Sequence, residues 1–136
     1  MNSFQLLQIA EQEKIPVYNF KTGIKKAFCV ESAIAIDFSR IETEREQKAL
    51  LAEELGHILS GALYPLLQCG NPLYKQNVLR QERRARDRSL RLQVPLRELK
   101  TAIAHGIDDY EIADLLDIDL STLQDAVTYY KRKGLM

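Results

Sequence analysis

Cysteine is scarce in this chain: Cys29 and Cys69 are the only two, with neither CxxC spacing nor the density of a disulfide framework. Both are expected to be reduced thiols, and the sequence assigns neither a role. Net charge is also missing, because nineteen Lys and Arg balance nineteen Asp and Glu. The overall charge therefore points to neither a nucleic acid nor a membrane partner. No apolar run approaches the roughly 18 residues of a membrane span, and Met1 to Ala10 carries no basic leader ahead of a long apolar stretch. A cytoplasmic protein is the expectation. Repeats, low-complexity segments and interdomain linkers are absent too, and 136 residues with 46% hydrophobic and 28% charged content suit one compact domain spanning 1–136.

What is there reads as α+β. Ser3 to Gln12 has the content of a short opening helix, followed by three extended segments at Ile15–Phe20, Ala27–Glu31 and Ala33–Phe38, rich in β-branched and aromatic residues. A small antiparallel sheet is expected from them. Thr43 stands three residues before Glu46, a capping-box arrangement, and apolar residues recur at helical spacing through Leu50, Leu51, Leu55, Ile58 and Leu59. Ser60-Gly61 closes that helix, and Gly70-Asn71-Pro72 marks a loop. Further helices are expected at about Asn77 to Leu92, at Leu96 to His105 before Gly106, at Asp109 to Leu116 and at Ser121 to Arg132.

The helix at Asn77 to Leu92 contains Arg80, Arg83, Arg84, Arg86, Arg88 and Arg91, so it cannot be buried all round. Steps of three and four leave one stripe without arginine: Val78, Glu82, Ala85, Ser89 and Leu92. That stripe is expected to face inward. A carboxylate there needs a counter-charge, supplied either by a metal or by Arg86 at i+4.

Glu53-Glu54-Leu55-Gly56-His57 differs by one residue from the His-Glu-x-x-His helix of zinc peptidases, in which two ligands four apart share a helical face and the adjacent Glu is the general base. Glu53 occupies the first ligand slot, and a carboxylate binds zinc as an imidazole does. On this reading Glu53, His57 and Glu82 are the metal ligands and Glu54 is the base. The plainer readings are a solvated stripe for Glu46, Ala49, Glu53, Gly56 and Ser60, and a core histidine for His57 amid Leu55, Ile58 and Leu59.

Three stretches resemble the ImmA/IrrE family of zincin-like metallopeptidases over most of the chain: Leu50 to His57, Gln81 to Arg86, and Val94-Pro95-Leu96 with the helices after it through Leu123. The resemblance implies a zincin-like domain, with a small antiparallel sheet packed on an active-site helix and additional C-terminal helices. It implies metal ligands at Glu53, His57 and Glu82, a general base at Glu54, and zinc-dependent endopeptidase activity on a regulatory protein such as a helix-turn-helix repressor of a phage or mobile element. Two carboxylate ligands weaken the preference for zinc and admit Mn2+ or Fe2+. Tyr64, seven residues after His57, is a candidate for oxyanion stabilisation. A catalytically weak or inactive zincin-like scaffold that binds a regulator is the alternative.

A reading from another class comes from residues 108–132, where Glu111-Ile112-Ala113 through Ser121-Thr122-Leu123 has the spacing of a DNA-binding helix-turn-helix. From Asp108 to Tyr130 there are seven acidic residues and no Lys or Arg. Phosphate neutralisation, the main source of affinity for DNA, is not available from such a segment. The pair is expected to be structural or to dock a protein substrate. Asp117 occupies the turn position where Gly is common.

Overall fold

The computed structural model describes residues 1–21, 23, 25–30, 32–61, 74–106 and 108–136. Among these residues six α-helices and a three-stranded sheet follow in the order α1 (Ser3–Gln12), β1 (Val17–Asn19), β2 (Ala27–Val30), β3 (Ala33–Ile36), α2 (Glu44–Leu59), α3 (Tyr74–Gln93), α4 (Leu96–His105), α5 (Asp109–Leu116) and α6 (Leu120–Arg132), with a 3-10 turn at Phe38–Arg40. The class is α+β.

Side-chain caps open three of the helices, α1, α2 and α5. Asn2 and Gln5 form a reciprocal capping box on α1, each side chain accepting the other's backbone N–H at 2.9 Å. Thr43 caps α2 by accepting the Glu46 N–H at 3.1 Å, while the Glu46 carboxylate pairs with Lys26. Gly61, at φ 69, turns the chain into the left-handed region just past α2, where a side chain would be strained. Asp117 takes the same conformation, φ 52, after α5.

The sheet order is β1-β3-β2, and the sheet is mixed, which corrects the expected antiparallel arrangement. β2 and β3 form an antiparallel hairpin (Ala27↔Ile36), whereas β1 pairs parallel with β3 (Val17↔Ile34). The strands do alternate in direction along the chain. β3, however, lies between the other two, so β1 meets the strand that runs its own way. Ile34 and Ile36 on this central strand are wholly buried, as strand alternation requires of an inward pair.

Two apolar cores form among the described residues. The first joins Leu6 and Ala10 of α1, the sheet, Leu51, Ala52 and Leu55 of α2, and Leu92 of α3; the second joins Leu90 and Val94 to Leu99, Ile112, Ile118, Leu123, Ala126 and Tyr130 of the C-terminal helices. Leu90 and Leu92 stand two apart on α3, on nearly opposite sides of the helix, and enter different cores. Polar contacts fasten α2 to the second core as well. The buried Lys48 ammonium donates to the Leu116 carbonyl at 2.6 Å, and Arg45 reaches Asp117 at 3.1 Å and Asp114 at 3.4 Å. The acidic turn between α5 and α6 is thus engaged within the molecule. No helix among the described residues is long and apolar enough to cross a membrane.

Candidate active site

Residues 53–57 lie in the C-terminal half of α2, and helical geometry sends each a different way. Leu55 points into the first core and is fully buried. Glu54 is turned toward β2 and is 8% exposed; Glu53 is exposed, and His57 is half-buried, which differs from the core-histidine reading.

Glu54 is the electrostatic centre of this region. The Cys29 thiol of β2 hydrogen-bonds its carboxylate, a contact that nothing in the spacing of the two residues signals. Burial raises the Glu54 pKa above the ordinary carboxylate value; the Cys29 hydrogen bond opposes that, the Glu53 charge adds to it, and His57 and Lys25 oppose it. The Cys29 thiol is pushed up to about 12, by burial first and then by its hydrogen bond to Glu54 and the Glu54 charge. It is therefore a neutral donor at physiological pH and not a nucleophile.

Gly56 sets how α2 meets α3. A Cβ there would lie 2.7 Å from the Ala85 carbonyl oxygen and 3.0 Å from the Ser89 nitrogen, so the two backbones approach closely. The stripe on α2 is accordingly mixed: Gly56 is buried against α3, Glu46, Ala49 and Ser60 are partly buried, and Glu53 at its centre is exposed. On α3, Ala85, Ser89 and Leu92 are buried as their spacing predicted. Glu82, on the same stripe, is exposed, so the cost of a buried charge does not bear on it. Arg86, the alternative partner considered for it, is ion-paired to Asp125 of α6 at 2.7 Å.

The register of the two helices explains why the stripe opens at Glu82. Leu92 joins the core beside Leu51 and Leu55, Ala85 and Ser89 meet Gly56, and the Arg84 guanidinium donates to the Ser60 carbonyl, so α2 and α3 run antiparallel. Glu53 then sits near the level of Ser89 to Leu92, and Glu82 near the level of Ser60. At 1.5 Å per residue the axial offset between Glu53 and Glu82 is about 10 Å, with His57 between them.

Glu53, Glu54, His57 and Cys29 are thus electrostatic neighbours, and Glu82 lies further along the helix pair. Among the described residues, no three or more His, Cys, Asp or Glu side chains are gathered into a set that could hold a metal ion. Tyr64, Cys69 and the Gly70-Asn71-Pro72 loop lie outside the described residues. A cleft of about 600 Å3 opens at the other end of α2, lined by Glu44, Lys48, Glu98 and His105, and none of the four predicted site residues borders it. No protein-family model matches the chain, and no curated protein or solved structure is significantly similar to it.

Proposed function

We propose that the chain is a metal-dependent endopeptidase of the ImmA/IrrE type, with a zincin-like fold, acting on a regulatory protein such as a helix-turn-helix repressor of a phage or mobile element. One observation carries the reading: a buried carboxylate, Glu54, is held between β2 and α2 beside Glu53 and His57, with its pKa raised by burial. Of the donor set, Glu53 and His57 are one turn apart on α2, and Glu82 stands on α3 near the level of Ser60. Glu53, His57 and Glu82 would hold the ion, each contributing an oxygen or an imidazole nitrogen. When bound, zinc, or manganese or iron with so oxygen-rich a set, supplies Lewis acidity toward water and the scissile carbonyl.

The remaining work falls to the chain itself. Glu54 accepts a proton from the attacking water and returns it to the leaving amine, and a carboxylate whose pKa is raised by burial is a stronger base than an exposed one. The Cys29 thiol, neutral and donating, restricts where that carboxylate points. The test is metal analysis of protein purified without added zinc, combined with cleavage of a repressor substrate by wild type, Glu54→Gln and His57→Ala. Glu54→Gln retains metal and loses hydrolysis, and His57→Ala loses both. Wild-type cleavage by Glu54→Gln overturns the mechanism.

A second reading, a metal-free zincin-like scaffold that binds a regulator, is favoured by one observation: the register of α2 and α3 sets Glu82 about 10 Å from Glu53 along the helix pair. Failure of the wild-type protein to bind zinc, manganese or iron at one equivalent selects it.

A further inference from the structure

The arginines of α3 take no part in the chemistry above, yet Arg80, Arg84, Arg88 and Arg91 follow one another at helical steps of four, four and three and share a face. Three of them, with Lys133 at the end of α6, line a cleft of about 360 Å3 between the end of α2, α3 and α6. Asp87 is the single carboxylate among the described residues of its wall, and both its oxygens accept from Arg132, at 3.0 and 3.1 Å. Arg84 commits one nitrogen to the Ser60 carbonyl at 3.1 Å. Among the described residues Arg88, Arg91 and Lys133 form no ion pair.

Ordinary surface arginines are solvated and need no partner. Arg88 differs in one respect: its Nε is buried and has no hydrogen-bond acceptor among the described residues. A charged donor removed from water without an acceptor is costly, and here it is held among two further guanidinium groups and an ammonium. An anion with several oxygens satisfies all of them together, and guanidinium groups match phosphate in geometry as well as charge. We propose that this cleft binds the phosphate group of a phosphorylated small molecule, with Arg88 and Arg91 as the principal donors and Arg84 and Lys133 completing the wall. The site is independent of the carboxylates of α2.

Calorimetric titration of the full chain with inorganic pyrophosphate tests it. Wild type binds; Arg88→Gln and Arg91→Gln each weaken binding at least about tenfold, the loss expected for a hydrogen bond to a charged group. Arg80→Gln, on the same helix face but outside the cleft, leaves the affinity unchanged, and thermal melts establish that each variant is folded. No binding of pyrophosphate by wild type, or undiminished binding by both Arg88→Gln and Arg91→Gln, overturns the proposal. A short DNA duplex provides the second arm. If it binds more tightly than pyrophosphate and Arg80→Gln weakens it as much as Arg88→Gln does, the exposed arginine row is a nucleic-acid surface and the cleft is not a small-molecule site.

Discussion

The Cys29 thiol and the Glu54 carboxylate are hydrogen-bonded across the junction of β2 and α2, each partly withdrawn from water. The pairing holds a neutral donor against a carboxylate whose burial favours protonation. It makes Glu54 a stability determinant as well as a candidate base.

The first prediction follows from that burial. The folded-state pKa of Glu54 lies above its unfolded value, so the native state binds the extra proton and stability falls as pH rises from the unfolded value through the folded one. Glu54→Gln removes this dependence. Thermal melts from pH 4 to 8 should show Glu54→Gln gaining on wild type as pH rises, by a few degrees if the effect is roughly 1 kcal/mol. A constant difference across that range contradicts the assignment.

Gly56→Ala should destabilise the protein despite alanine's better helix propensity, worth about 1 kcal/mol at an open position. The added methyl meets the Ala85 carbonyl at 2.7 Å, backbone that cannot move without separating the helices. Overpacking of this kind costs about 1–3 kcal/mol, measurable as a lowered urea midpoint. An unchanged or raised midpoint means that α2 and α3 are less closely apposed.

Arg45→Ala breaks contacts to Asp114, Asp117 and Asp119, all solvent-accessible. Exposed ion pairs are worth about 0–1 kcal/mol each and are screened by salt, so the loss should be near 1 kcal/mol in dilute buffer and smaller in 1 M salt. Chemical denaturation by urea at the two salt concentrations checks it. A loss independent of salt assigns Arg45 a packing role.

Glu53→His tests the proposed ligand. Replacing a carboxylate by imidazole removes one negative charge beside the ion and supplies a nitrogen donor, so the variant should bind zinc more tightly than wild type and shift the acidic limb of a pH-rate profile downward. Zinc affinities of the two proteins, measured side by side, decide the matter. Equal affinities identify Glu53 as a surface residue, whose replacement then changes stability by no more than about 0.5 kcal/mol.

Features governed by neighbours in sequence were readable from it. α1 begins at Ser3 and α4 ends at His105 where expected, because caps and a following glycine act within a turn. The buried faces of Ala85, Ser89 and Leu92 were equally legible, since helical periodicity fixes a face. It does not fix a level. Glu82 shares the face but stands about two turns from Glu53, because the close contact of Gly56 with Ala85 and Ser89 sets the helix register. The sheet shows the same division: β-branched and aromatic content identified three strands, yet no local rule states that β3 lies between the others. Cys29 was silent for a related reason, its partner being 25 positions away on another element.

Leu90 and Leu92 give α3 a dual allegiance that bears on how the protein opens. Because opposite sides of a single turn of α3 are built into both cores, unwinding that end of the helix withdraws a buried leucine from each. Opening of the sheet and of the C-terminal helices is therefore expected to be a single event. Amide hydrogens of Leu55 and of Ala126, in different cores, should exchange through the same global opening with matching denaturant dependence, and cleavage by a protease within either core should wait on that event.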